Sequence, residues 1–423
     1  MSLGKHILSY GAFNAINAAV PFLLMPVLTV RLSPQDYGVL SLAQLLITLA
    51  LPLVLINTHG LFVIERTRLS GKELAGLVSA MVWLPVAGCA AITMIFWAAH
   101  GALAALFKLP DTWVVMIPVF CLVQSVPTLV PVIFQGRQQA VHYGAFKTAL
   151  SILNLGLSIL FVISLAMGWE GRLWGIFWAN VVFTAVGLLT LRREGLLILG
   201  LFRQQTLSAL RFGLPLIPHS VSGILLAMSD RIFLANIAGP GEAGVYSVAY
   251  QIASGVGIIM TSINQAWAPH LFGCLNKDPG TEEKRTIVRR TYRIISCMAG
   301  IAIVYAVIMY AAYDFLIGPA FHSGKVLALI LAGAFCLQGA YYMVTNYIYY
   351  VRKTHVLSGI TTSCLIASAI GNVALIPLAG SYGAAAVMLA VWLAMFVLTW
   401  IFAARLFPMP WLPSRLAGRG DRR

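Results

Sequence analysis

A chain of 423 residues that is 60% hydrophobic and only 10% charged has too few polar side chains to coat a set of soluble domains. Nearly every apolar run reaches about 20 residues, the length that crosses a ~30 Å hydrocarbon core as a helix. The chain therefore reads as an all-α integral membrane protein and not as a β-barrel, whose ~10-residue alternating segments it lacks.

The first apolar run, 8–31, follows a single lysine and is too long for the apolar region of a signal peptide, so it is expected to remain as a span. At ~100° per residue it carries Asn14, Asn17 and Arg31 on one face. The second run, 39–62, places Ser41, Gln44, Thr48 and His59 together. Runs at 74–98, 112–134, 142–166 and 172–191 complete a first group. The seventh, 211–236, collects His219, Ser222 and Asp230 on a face, with Arg231 next to the acid. The eighth, 243–264, aligns Tyr246, Tyr250, Ser254, Thr261, Asn264 and the adjoining Gln265. Runs at 288–312, 326–350, 356–378 and 382–404 follow, making twelve, and the chain closes on the basic tail "SRLAGRGDRR".

Self-similarity divides the chain in two. "DYGVLSLAQ" at 36–44 matches "EAGVYSVAY" at 242–250 through Gly38/Gly244, Val39/Val245, Ser41/Ser247 and Ala43/Ala249. "YGAFNA" at 10–15 corresponds to "FGLPLI" at 212–217, and Arg31 to Arg231. The expected organisation is an N-terminal six-helix lobe (1–195), a linker (196–210), a C-terminal six-helix lobe (211–405) and a tail (406–423). Because each half has an even number of spans, the repeats are parallel, related by a pseudo-two-fold axis along the membrane normal. Such repeats ordinarily place substrate in the cleft between them.

The formal charge of +15 raises a nucleic-acid partner as well as membrane topology. Of the 28 Lys and Arg residues, all but Arg31, Lys108, Arg172, Arg231 and Lys325 fall on one side of the twelve-span arrangement. That bias predicts both termini in the cytoplasm and excludes a nucleic-acid role, while the tail remains suited to anionic lipid. The six cysteines lie apart, with no metal-ligand spacing, and no phosphate loop or nucleophile motif is present, so no metal, cofactor or enzyme is predicted. Of the thirteen acids, only Asp230 falls within a span.

The candidate substrate-binding residues are Arg31, Arg231, Asp230, His219, His59, Asn14, Asn17, Gln44, Tyr250, Asn264 and Gln265. Lipid cannot hydrogen-bond a polar helix face, so these four faces either line a water-filled cavity or bond neighbouring helices. Arg31 and Arg231, at corresponding places in the repeat, either form a cationic patch for phosphate or acidic sugar or reach separately for headgroups.

The stretches "GLPLIPHSVSGILLAMSDRIFLANIAGPGEAGVYSVAYQI", "SINQAWAPHLF", "FLIGPAFHSGKVLALIL" and "GNVALIPLAGSYGAAAVMLAVW" carry a resemblance. In the last, Asn372, Pro377, Gly380 and Gly383 match a signature at the junction of helices eleven and twelve. The chain resembles the polysaccharide-biosynthesis flippases, close to the O-antigen repeat-unit translocases, of the multidrug/oligosaccharidyl-lipid/polysaccharide exporter superfamily. The resemblance implies a cavity lined by helices one, two, seven and eight that opens alternately to either side. It implies an undecaprenyl-pyrophosphate-linked oligosaccharide as substrate, the bacterial inner membrane as location, and the polymerase and chain-length proteins of the pathway as partners. The alternative within the superfamily is a multidrug or cation antiporter, which favours cavity acids this sequence lacks. A polytopic glycosyltransferase or ligase is the third reading, and no outer loop is long enough for one.

Overall fold

The computed structural model describes residues 3–198, 200, 202–277 and 279–411, with side chains described for Phe13, Asn17 and then from Ala19 onward. The side chain of Asn14 and the tail beyond Trp411 lie outside the described residues. The described residues are helical throughout their regular structure, and ten helices are long and apolar enough to cross a membrane. The protein is a multi-pass membrane protein. Contacts divide it into two compact units, Met1–Gly244 and Val245–Arg423, so the seventh apolar run, 211–236, belongs to the first.

The first unit begins with α1 (Leu3–Arg31) and α2 (Pro34–Leu55), joined by a tight turn. Ser33 caps α2: its Oγ accepts from the Asp36 N–H at 3.1 Å, and the Asp36 carboxylate returns the contact to the Ser33 N–H. This closes two orphan donors of the helix start. Beyond Leu55 the chain unwinds through Ile56 and Asn57 into a 3-10 turn (Thr58–Gly60) and the short α3 (Leu61–Glu65). The span expected at 39–62 therefore ends seven residues early, because the chain at Ile56 adopts a left-handed conformation that no local residue signals.

The long α4 (Gly71–Ala98) crosses α2 at Gly88, where an added Cβ would lie 2.3 Å from the Val54 carbonyl oxygen. A short α5 (His100–Phe107) follows. Next come α6 (Asp111–Val123) and α7 (Ser125–Gly136), one span broken at Gln124 between helices that contain Pro118 and Pro131. The last two spans of this group are α8 (Ala140–Ile159), ending in a wide π turn, and α9 (Gly168–Arg193). Their core is apolar: Leu77, Met81, Val130, Ile133, Phe146 and Phe183 interlock from α4, α7, α8 and α9. Indole and phenyl rings of Trp113, Phe120, Trp174 and Phe177 stack in tilted and edge-on pairs beside it.

The seventh span is three helices rather than one: α10 (Arg203–Gly213), α11 (Leu216–Met228) and α12 (Asp230–Ile237). Pro215 has no N–H to donate and interrupts the ladder between the first two, and the chain bends again at Ser229. Ala209 of α10 is completely buried in the core, α12 buries Asp230, Arg231, Leu234 and Ala235, and α11 between them buries nothing.

The second unit holds most of α13 (Pro240–Leu275), then α14 (Thr281–Leu316), α15 (Lys325–Tyr350) and α16 (Thr354–Leu406). Ile303, Val304, Val307 and Ile308 form an exposed apolar stripe on α14, the surface a lipid tail satisfies. The 53 residues of α16 are interrupted at Gly380, whose φ of 52° and ψ of −131° are a conformation only glycine adopts comfortably. The helices expected at 356–378 and 382–404 meet at that residue.

Candidate transport site

The polar faces resolve into two kinds of group. Those of α1 and α13 are partly spent on neighbouring helices. Asn17 accepts from Ser151 Oγ at 2.6 Å and donates to Thr148 Oγ1 at 3.3 Å, tying α1 to α8. Asn264 of α13 accepts from Asn346 Nδ2 of α15 at 2.9 Å. On α2, Ser41 is buried and returns its hydroxyl to the Gly38 carbonyl, while Thr48 bonds the Gln44 carbonyl. These bonds satisfy side chains that hydrocarbon would leave unpaired.

The second kind stays open. His219 and Ser222 on α11 are exposed, as is Gln265 on α13, and Gln44 and Tyr250 are half-buried. The Tyr250 ring meets Phe335 edge-on at 5.2 Å and Tyr246 at 6.4 Å. His59 sits off the membrane spans in the 3-10 turn after α2. Its Nδ1 is out of contact with solvent, and burial pushes its imidazole below the ordinary histidine range.

The two arginines paired by the repeat stand in different surroundings. Arg31 is exposed in the last turn of α1, where the helix dipole favours a cation. Arg231 is only 4% exposed, next to Asp230, whose carboxylate accepts the Arg231 N–H at 2.9 Å at the start of α12. Arg231 and Arg172 both lie within electrostatic reach of the buried Tyr37 hydroxyl. Sequence reasoning did not single out Arg172. Its Nη1 donates to Asn154 Oδ1 and, at 2.6 Å, to Ser158 Oγ, so the partners of this in-span cation are neutral. Its recognisable signal was being one of five basic residues on the sparse side.

The acids serve helix starts. Asp36, Glu73, Asp111, Glu170, Asp230, Glu242, Glu282 and Glu283 all occupy first turns, where a carboxylate meets free N–H groups. Asp314 stands in the last turn of α14 and binds Lys325 Nζ at 2.5 Å. Among the described residues no group of His, Cys, Asp and Glu is arranged to hold a metal.

Known proteins place this chain. It is 23% identical over 408 residues to the "Lsg locus putative protein 1" of Haemophilus influenzae, covering 92% of this chain and 96% of that protein. An uncharacterised membrane protein of the same organism is also 23% identical, over 400 residues. Among solved structures, an inward-facing multidrug resistance transporter of the MATE family matches with a TM-score of 0.70 at 13% identity over 96% of this chain and 95% of that one. The lipid II flippase MurJ in an inward closed conformation matches with a TM-score of 0.69 at 11% identity over 94% and 87%. These likenesses show that the chain shares the fold of those two transporters. The family model described as "Polysaccharide biosynthesis protein" matches residues 3–273, well over half of the chain, and the protein belongs to that family.

Proposed function

We propose that this protein flips an undecaprenyl-pyrophosphate-linked oligosaccharide, a repeat unit of O-antigen or another surface polysaccharide, from the cytoplasmic to the periplasmic leaflet of the bacterial inner membrane. The observation that carries the reading is α11, the middle helix of the seventh span, which fully buries none of its residues and exposes His219 and Ser222. Membership of a polysaccharide-biosynthesis family supports a saccharide-bearing substrate. Sugar hydroxyls and phosphates cannot shed their water into hydrocarbon without costing several kcal/mol per group. A polar helix face open to the bilayer gives them a route while the prenyl tail stays in lipid.

In this reading α16 counts as two spans and α1 as one, giving twelve, with both termini cytoplasmic and lobes at 1–195 and 211–405 opening alternately. Arg31 and Arg231 supply positive charge toward the pyrophosphate. The protein works as a carrier, without cofactor or catalytic residue, alongside the polymerase and chain-length proteins of its pathway. A cation antiporter on this fold would need an open carboxylate in mid-span. The only acid there is Asp230, which is buried and occupied by the Arg231 N–H.

Deletion of the gene is expected to abolish surface polysaccharide and to accumulate its lipid-linked unit in the cytoplasmic leaflet. Complementation with Arg31→Ala or Arg231→Ala is expected to restore less polysaccharide at unchanged protein level, with lysine at either position recovering part of it. Normal polysaccharide with raised drug sensitivity in the deletion strain would sink the flippase reading, and full activity of the double alanine variant would remove the arginines from it.

A further inference from the structure

We infer that Asn57 and Ser220 are a gating pair, a side-chain latch that fastens the unwound end of α2 to the seventh span and must open during each transport cycle. The inference rests on the flippase reading for what passes the gate, and on the geometry of α2, α10 and α11 for the gate itself.

Helix α2 ends abruptly. Ile56 has φ 53° and Asn57 φ 48°, two successive residues in the left-handed region without a glycine between them. For a β-branched residue such as Ile56 this is a true outlier, because its Cβ substituents crowd the following carbonyl. A backbone of this kind persists only where its surroundings impose it. Here the imposing contact is Gly213, the last residue of α10. A Cβ on Gly213 would fall 1.8 Å from the Ile56 carbonyl oxygen and 3.3 Å from Thr58 Cγ2, so the two backbones touch.

One turn into α11, the Asn57 Nδ2 donates to Ser220 Oγ at 2.9 Å across 163 residues of sequence. Past that bond α11 has no buried residue. The middle of the seventh span is thus fixed at one end by α10 and the Asn57–Ser220 bond, and at the other by the buried start of α12.

These features make a two-state element. Moving α11 sacrifices partial packing only, since Ile217 and the other half-buried residues of the helix are none of them fully buried. Breaking the bond lets the end of α2 rewind and relax its left-handed residues, which offsets the loss. Closed, the latch is held by Gly213 and Ser220; open, it is favoured by relief of backbone strain. In the proposed topology this end of α2 faces the cytoplasm, where the saccharide headgroup enters, and the neighbouring His219 is the first open polar group it would meet. The hinges of such motions are short element ends that absorb a φ/ψ change, as Ile56–Asn57 and Leu214–Pro215 do here.

The test starts from a parent in which the six native cysteines are replaced. Asn57→Cys and Ser220→Cys are introduced singly and together into the full-length protein in the deletion strain. The pair is expected to form an intramolecular disulfide on oxidation and to make about tenfold or more less polysaccharide than the same protein under reductant, while the output of neither single variant responds to the oxidant. A fully cross-linked protein that transports at the parental rate overturns the latch.

A second arm needs no transport assay. Ser220→Ala, with His219→Cys as reporter, is expected to raise labelling by a membrane-impermeant maleimide about fivefold, roughly what one net hydrogen bond controls. Unchanged labelling overturns the pair. Should the deletion strain keep its polysaccharide, the flippase reading falls and this labelling arm alone decides the latch.

Discussion

A buried arginine in a membrane span costs several kcal/mol unless each of its N–H groups finds an oxygen. Half-buried Arg172 meets this requirement at Nη1 with two neutral partners, Asn154 and Ser158, and the Ser158 hydroxyl is itself fully buried. Bonds from a charged donor contribute about 1.5–3 kcal/mol each, so Arg172→Ala, which removes two, is expected to lower stability by about 3–6 kcal/mol and to leave the buried Ser158 short of a donor. Arg31, exposed at the end of α1, is expected to shift stability by less than about 0.5 kcal/mol on the same change. Chemical unfolding of the purified protein in detergent checks both, and equal effects would contradict the contrast in burial. Residue type alone cannot tell these arginines apart, because both sit on the sparse side of the charge distribution. The difference lies in what the neighbouring helix presents: α8 brings an amide and a hydroxyl to Arg172, and helix projection carries no information about the facing helix. Asn17 and Asn264 illustrate the same limit, since each polar face was visible in sequence but the helix it bonds was not.

At the scale of elements, the starts of α2 and α13 meet through Gly38 and Gly244. An added Cβ on Gly38 would lie 1.8 Å from the Pro240 carbonyl oxygen, and one on Gly244 would lie 1.9 Å from that of Pro34, all four residues falling in the first unit. The contact is reciprocal, each glycine lying against the proline carbonyl at the start of the other helix. The identity of Gly38 and Gly244 was legible in sequence; that the starts of α2 and α13 are in backbone contact was not, because a shared glycine fits a turn as well as a crossing. Backbone oxygens cannot swing aside, so Gly38→Ala and Gly244→Ala are each expected to cost about 1–3 kcal/mol as the helices are forced apart. Gly300, in the interior of α14 with open space where its Cβ would be, supplies the control and is expected to accept alanine without loss. Thermal denaturation followed by size-exclusion chromatography reads the difference. Equal tolerance at all three positions would mean that the close crossing is absent. Most spans were legible because an apolar run of span length has few alternatives in lipid. The breaks at Ile56 and Ser229 were not, since they follow from packing and not from local residue preference.

For the whole molecule, the count of spans decides where every loop lies. A continuous α16 of 53 residues would be ~80 Å long at ~1.5 Å per residue, far beyond a ~30 Å hydrocarbon core. In the proposed twelve-span topology the segment crosses, turns at Gly380 and returns, with Arg352 before it and Arg405 at its end on the same side. In that topology eight spans separate Lys72 from Arg352, with α6–α7 and α10–α12 each counted as one, so these two would also share a side, with Lys108 opposite. Lys72, Lys108, Arg352 and Arg405 are all exposed, which makes them suitable reporters. In a cysteine-free parent, Lys108→Cys is expected to react with an impermeant thiol reagent in intact cells. Lys72→Cys, Arg352→Cys and Arg405→Cys should react only after the membrane is permeabilised. Reaction of Arg405→Cys in intact cells while Arg352→Cys stays protected would mean that α16 crosses once. Gly380 would then be a kink within a single long span, and the even count on which parallel repeats depend would be lost.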